Sequence, residues 1–310
     1  MTSTKARVSH NDIVIVHLID GTYELYRQHF GQAVRHRTPP PLAATAGVVT
    51  STLQLLAGGA THVAVSMDHV IESFRNDLYD GYKTSEGMEE EILNQLPIVQ
   101  DALRALGVPV WSMVKYEADD GLAAAANLAD ADERVAQVQI LSPDKDMGQC
   151  VKGNRVVQFD RRNDVIINED AVRAKFGVGP TSISDWLGLV GDTADGFPGL
   201  QGWGAKSASA VLAVYQHIDD IPDDVDSWSE AARGVRSAAK LAATLCDNRE
   251  MAMLFKDIAT VRTDVADDVD IGTVDSWRWR GPTSVLETFA KELGIAQLVE
   301  RVERATVGRD

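Results

Sequence analysis

The chain has 310 residues, 45% hydrophobic and 25% charged, which is enough to bury a large core as one large domain or two small ones. Lysine and arginine total 30 against 46 aspartates and glutamates, a net charge of −16 that argues against nucleic acid unless the acids are organised around bound cations. No run of ~18 apolar residues is present, so a membrane-spanning helix is not expected. The polar stretch Met1–Asp12 lacks the apolar core of a secretory leader. Cys150 and Cys246 have no CxxC partner and no nearby histidine pair, which disfavours zinc and a disulfide framework. They read as buried thiols of a protein in a reducing cytoplasm.

The elements follow in chain order. Ile13–Asp20 is a continuous apolar run ending in an acid, the pattern of a buried parallel strand. Thr22–Arg35 has helical character, and Thr38-Pro39-Pro40-Pro41 breaks it. Leu42–Ala57 reads as a second helix, and Thr61–Asp68 as a second strand ending in an acid. Residues 69–92 are polar and too long for an ordinary strand-to-helix connection. Ile98–Leu106 is an expected helix and Val108–Val114 a strand. Glu117–Ala129 is a helix with acids in its first turn, where the macrodipole favours them. Val135–Ser142 is a strand followed at once by Asp144-Lys145-Asp146, and two short strands are expected near 155–160 and 164–167. From Asn168 onward the pattern is mainly helical, interrupted by a Gly-rich stretch at 196–204. Strands alternating with helices predict an α/β domain with a parallel sheet, followed by a helical region.

In open α/β sheets, ligands bind beyond the carboxyl ends of the strands. Asp20, Asp68, Asp144 and Asp146 all fall at or just past such ends. Glu117, Asp119 and Asp120 open a helix that follows a strand, and Asp192 and Asp195 lie in the loop Gly191–Gly196. A single acid after a strand is ordinary turn or capping chemistry. Repetition at successive strand ends is not, because two carboxylates ~4 Å apart repel by ~4 kcal/mol at an effective dielectric of 20. A converged cluster therefore needs cations. All-oxygen ligands favour Mg²⁺ or Mn²⁺, and two such ions can activate water and stabilise the leaving oxygen of a phosphodiester.

The segments IDGTYELYR (19–27), MDHVIESFRNDLYDGYK (67–83), YEADDGLAAAA (116–126), LSPDKDMGQCV (141–151) and GLVGDTADGFPGLQGWGAKSA (188–208) together resemble the 5′ nuclease family. That family includes the 5′→3′ exonuclease domain of bacterial DNA polymerase I and the flap endonucleases. Nothing here resembles a polymerase, so the likeness is to a stand-alone form. The resemblance implies a PIN-like α/β fold: a central, mainly parallel twisted sheet flanked by helices, with a helical arch and a C-terminal helix–three-turn–helix DNA-binding region. The nuclease domain would span 1–180, with the arch at about 69–95. The DNA-binding region would span 181–310, with its Gly-rich element at 196–208.

The resemblance also assigns roles. Asp20, Asp68, Glu117, Asp119 and Asp120 would hold mainly a first divalent metal, and Asp144, Asp146, Asp192 and Asp195 a second. Arg75 and Lys83 would contact the scissile phosphate, where positive charge stabilises the transition state. Arg27 would contact DNA, and Tyr82 would stack on a base at the gateway. Gly199, Gly202, Gly204, Lys206 and Ser207 would grip the duplex phosphates through a Gly-rich turn and a helix N-terminus, with a K⁺ ion on nearby carbonyls. Implied partners are DNA with 5′ ends, flaps or nicks, and replication or repair proteins; no membrane is implied.

The chain departs from the family at Glu86, where an arginine is usual, at Ser142, at Met67 and at Ala194-Asp195-Gly196. None of these removes a ligand. A non-catalytic DNA-structure-binding protein and a related ribonuclease remain alternatives, since fold alone does not fix a substrate. Trp277-Arg278-Trp279-Arg280 reads as a strand with one buried face, and 284–305 as a capping helix.

Overall fold

The computed structural model describes residues 14–35 and 40–294. Met1–Asp12, the Thr38-Pro39 start of the proline break and residues 295–305 of the expected last helix lie outside the described residues. The sheet has six strands: β1 (Val14–Asp20), β2 (His62–Asp68), β3 (Val110–Met113), β4 (Val135–Leu141), β5 (Val156–Asp160) and β6 (Val165–Ile167). Their order is β3-β2-β1-β4-β5-β6, all parallel except the β5–β6 pair. The chain winds outward from β1 in both directions, so β1 and β4 flank the switch point where such sheets bind ligands. Register brings Asp20 beside Ser66, Asp68 beside Met113 and Ile19 beside Leu141. The expected strand-end acids therefore share one edge.

Helices cover both faces, which is why β1 and β2 are continuous apolar runs rather than alternating ones. On one face lie α1 (Gly21–Arg35) and α2 (Ala43–Ala57), followed along the chain by the short α3 (Phe74–Leu78) and α4 (Glu90–Leu93), then α5 (Gln95–Ala105). Their core includes Leu25, Val48, Leu53 and Leu103. On the other face, α6 (Ala118–Asp130) packs its alanine run against Leu18, Val138 and Ile140, with Trp277 closing the layer. Each such large aliphatic side chain contributes ~1.5–3 kcal/mol by leaving water.

The remaining helices are α7 (Glu169–Phe176), α8 (Ile183–Val190), α9 (Ala205–Tyr215), α10 (Glu230–Arg233), α11 (Ala238–Asp247), α12 (Arg249–Ala259) and α13 (Leu286–Glu292). Most of these pack around Trp186, Phe197, Trp228 and Phe255 in a separate core, while α13 docks on the α5 side of the sheet. No helix among the described residues is long and apolar enough to cross a membrane.

Residues 69–95, the expected arch, carry the short helices α3 and α4 joined by turns and the start of α5. Two other expectations need correction. Trp277 and Trp279 are buried and Arg278 and Arg280 exposed, as alternation requires, but the backbone is a tight turn followed by one isolated bridge from Arg278 to His62. That short edge pairs too little backbone to make a strand. Cys246 is exposed rather than buried, while burial pushes the Cys150 thiol up to about 12.

Candidate active site

The carboxyl end of the sheet gathers the acids. Asp20 ends β1 and is 5% exposed. Its Oδ1 accepts the Tyr23 N–H at 2.9 Å and its Oδ2 accepts the Ser142 hydroxyl at 2.8 Å, which ties the end of β1 to the segment after β4. Asp68 ends β2; its carboxylate accepts the Ala118 N–H at 2.8 Å, docking the start of α6 onto the strand edge. Asp119 follows within the first turn of α6, and Asp144 and Asp146 come directly after β4. Asp146 opens a 3₁₀ turn, its N–H donating to Asp144 Oδ1 at 2.9 Å.

Burial raises several of these acids, and their mutual repulsion adds to the effect. Asp20 is pushed up to about 7 by burial, with the charges of Asp68 and Asp144 adding to the rise. Asp68 rises to about 6, through burial and the charge of Glu117. Asp119 and Asp146 are held well above the carboxylate range, by burial first and then by Asp144 beside each. Asp146, Asp192 and Asp195 converge, with one oxygen from each lying within 4.8 Å of the others. Asp146 Oδ1 is buried and has no hydrogen-bond partner. Crowded carboxylates with one oxygen left bare could hold a divalent cation, and the donors are all oxygen, with no thiolate or imidazole among them.

The loop carrying Asp192 and Asp195 is a closed hairpin. Asp192 and Phe197 exchange backbone hydrogen bonds at 2.8 and 3.0 Å. Below it, Gly191 and Gly199 press backbone on backbone: a Cβ on Gly191 would meet the Pro198 carbonyl carbon at 2.3 Å, and one on Gly199 the Gly191 nitrogen at 2.4 Å. Both glycines also have positive φ, 85° and 68°. Gly199 thus serves chain packing rather than an open approach to phosphate, which corrects its expected role.

Other acids already have counter-ions. Lys83 Nζ lies 2.9 Å from Glu117 Oε2 and 2.9 Å from Asp195 Oδ1, and the Lys83 N–H donates to the Asp195 carbonyl at 3.0 Å. Burial works to raise Glu117, but Lys83 and Arg75 outweigh it and hold the carboxyl below its ordinary value. Lys83 is itself held well above its ordinary value: burial opposes this, but Glu117 and Asp195 prevail.

Arg75 is 3% exposed and grips Asp120 bidentately at 2.7 and 2.8 Å, with its Nε donating to the Ile258 carbonyl at 2.7 Å. Asp120, fully buried, also accepts the Glu117 and Arg262 N–H groups at 2.9 and 2.7 Å. The expected phosphate contact by Arg75 and metal ligation by Asp120 are therefore corrected, since each satisfies the other. Tyr82 is corrected too. At 4% exposure, with its hydroxyl on Glu117 Oε2 at 3.2 Å, its ring cannot stack on a base. Arg27 lies apart from the acids, on α1, paired with Glu24 at 2.6 Å.

The Gly-rich turn leads into α9. Gly202 and Gly204 face open space, apart from Leu241 at 3.9 Å from a Cβ on Gly202. Lys206 is exposed, and Ser207 caps the turn by accepting the Gly204 N–H at 3.0 Å. These residues line a groove of ≈ 1030 Å³ that is also lined by Glu230, Arg236 and Lys240. Those two cations were missed from the sequence; their signal is a second short run of small and basic residues before α11. Lys145 was missed as well. Its Nζ lies 2.5 Å from Asp192 Oδ2, and its signal is a lysine flanked by two acids just past a strand.

Two family models match the chain. The 5′-3′ exonuclease N-terminal resolvase-like domain matches residues 15–177, and the 5′-3′ exonuclease C-terminal SAM fold matches residues 178–283. DNA polymerase I of Rhizobium leguminosarum is 32% identical over 305 residues, covering 93% of this chain, which spans only 28% of that polymerase's length. The 5′-3′ exonuclease of Aquifex aeolicus is 27% identical over 299 residues, covering 93% of this chain and 95% of its own. Among solved structures, the phage T5 D15 protein co-crystallised with metal ions superposes with a TM-score of 0.66 at 18% identity, covering 91% of this chain and 99% of its own. Human GEN1 in complex with Holliday junction DNA superposes at 0.59 with 15% identity, covering 94% and 71%. At those identities the two structures share the fold.

Proposed function

Because the chain belongs to the 5′-3′ exonuclease family, we propose that it is a structure-specific 5′ nuclease. It hydrolyses DNA phosphodiesters by 5′→3′ exonuclease and 5′-flap endonuclease action. The observation that carries this reading is the convergence of Asp146, Asp192 and Asp195, with a bare buried oxygen on Asp146, at the edge that also holds Asp20, Asp68 and Asp119.

Asp20, Asp68 and Asp119 would hold one divalent ion, Mg²⁺ or Mn²⁺, and Asp146, Asp192 and Asp195 a second, with Asp144 and Glu117 bordering both. Such ions would supply an activated water and charge to stabilise the leaving oxygen. The chain's own residues do the rest. Lys83, 31% exposed at its side chain, stands at the mouth of the cluster and offers positive charge to the scissile phosphate. Arg75 holds Asp120 and so fixes the first turn of α6, which carries Asp119. The groove formed by Gly202, Gly204, Lys206 and Ser207 takes the duplex, with Arg236 and Lys240 also lining it, and backbone carbonyls of the Gly-rich turn would hold K⁺. Arg27 would meet DNA away from the metals.

We take 1–180 as the nuclease domain and 181–310 as the DNA-binding region. Partners would be 5′ ends, flaps and nicks, together with replication or repair proteins. Two unpaired cysteines suit a cytoplasmic setting. The test is incubation with Mg²⁺ and a 5′-labelled flap. Short labelled products are expected; intact flap at high enzyme concentration refutes the reading.

A further inference from the structure

We propose that Lys145 is a displaceable counter-ion: it occupies Asp192 in the metal-free protein and must leave before a divalent cation settles on Asp146, Asp192 and Asp195. The inference rests on the metal-dependent reading of this same site.

The oxygens of the three acids are unequally occupied. Asp192 Oδ1 accepts the Ala194 N–H at 3.0 Å, and Asp192 Oδ2 has Lys145 Nζ at 2.5 Å. Asp195 Oδ1 has Lys83 Nζ at 2.9 Å. Asp146, next to Lys145 in the chain and 7% exposed, keeps Oδ1 bare. Protein groups therefore already hold both oxygens of Asp192, and a cation reaching for Asp146 finds an ammonium on its neighbour.

The two lysines are not held alike. Lys83 is bridged by two carboxylates and anchored by its own backbone N–H on Asp195. Among the described residues Lys145 has one carboxylate within ion-pair distance, and its side chain is 32% exposed. An ammonium on a flexible four-carbon stem exchanges such a contact for water readily. While it stays, it excludes the cation from that oxygen, and the apparent affinity falls by the fraction of time the site is blocked. Lys145 is thus a positioning residue for the reaction. It keeps the acid pair neutralised when no metal is present and sets how tightly the second ion binds.

The experiment is Mn²⁺ binding to the full chain, followed by the electron paramagnetic resonance of the free ion, for wild type, Lys145→Met and Lys145→Arg. Circular dichroism checks the fold. Lys145→Met should tighten the weaker Mn²⁺ site by about tenfold, equivalent to ~1.4 kcal/mol, and Lys145→Arg should leave it near wild type. A folded Lys145→Met with unchanged or weaker Mn²⁺ binding overturns the proposal, because a group that merely braces the loaded site predicts weakening. Should Lys145→Met not fold, Lys145→Gln gives the same readout. Wild type that binds no Mn²⁺ overturns this proposal and the metal-dependent reading together; wild type that binds while the variants match it overturns this proposal alone.

Discussion

The acid cluster has two sides with opposite electrical surroundings. On the side facing residues 75–83, Glu117 and Asp120 are buried, yet each meets a cation: Lys83 at 2.9 Å and Arg75 at 2.7 Å. On the sheet side, Asp20 is buried and Asp68 and Asp119 half-buried; none of them has an ion-pair partner among the described residues, and all three are pushed upward. Asp119 and Asp120 are adjacent in sequence and differ by one helical step. Burying a carboxylate is costly even beside a counter-ion, and costs several kcal/mol more when that counter-ion is missing. Glu117 and Asp120 thus hold the fold together, Asp20, Asp68 and Asp119 would suit an outside cation, and Asp192 and Asp195, each met by a lysine, stand between the two kinds.

Experiments can break or sharpen that division. The largest effect should come from the second metal group. Asp146→Ala and Asp192→Ala should abolish flap cleavage while a gel-shift assay still shows DNA bound; wild-type rates in either would erase the distinction. Lys83→Ala should come next, lowering kcat by about 10²–10³-fold with little change in KM, as for loss of one transition-state donor. A steady-state analysis showing the loss in KM instead would make Lys83 a binding residue.

Arg75→Met probes the neutralised side. It leaves Asp120 buried and unpaired, at a cost of ~3–5 kcal/mol, so the melting temperature should fall by roughly 10 °C. A calorimetric trace unchanged from wild type would mean that Asp120 needs no counter-ion. The pH dependence probes the bare side. Asp20 and Asp68 have folded values near 7 and 6, above the unfolded value of 3.8. The folded state therefore binds more protons than the unfolded state between those limits. Metal-free protein should lose stability as pH rises from about 4.5 to 7.5, by a few degrees in melting temperature. Saturating Mn²⁺ should cancel or reverse this slope, because the ion requires the deprotonated carboxylates. A metal-free stability that rises across that window would remove the basis for calling these acids bare. The smallest effect is at the groove. Lys206→Ala should lower the slope of log affinity against log salt by about 1, and an unchanged slope would take Lys206 out of the interface.

The strand-end acids were legible because two local patterns sufficed: an apolar run that ends in an acid, and alternating helices that force the strands parallel. Asp20, Asp68 and Asp146 follow from those patterns. The fates of Arg75, Asp120 and Tyr82 were not legible, because their environment is made by distant chain. Arg75 donates to the carbonyls of Ile258 and Thr260, more than 180 residues away, and nothing in the polar run around Arg75 announces that contact. The same run suggested an exposed arch, yet Tyr82 belongs to the helical core. Lys145 stood in plain view between two acids, but spacing alone does not say which carboxylate a flexible lysine will choose. The Trp277–Arg280 alternation gave burial correctly and backbone wrongly, since a tight turn with one bridge can hide every second side chain as well as a strand does.

The hairpin from Asp192 to Phe197 has mechanical consequences. One flank abuts residues 81–83, where the Lys83 N–H donates to the Asp195 carbonyl and a Cβ on Gly196 would strike the Gly81 carbonyl at 2.2 Å. The other flank runs through Pro198 and Gly199 into the turn that faces the groove. Through these backbone contacts a shift of that turn would reach Asp192, Asp195 and Lys83 together, which would tie the proposed duplex groove to the proposed metal site.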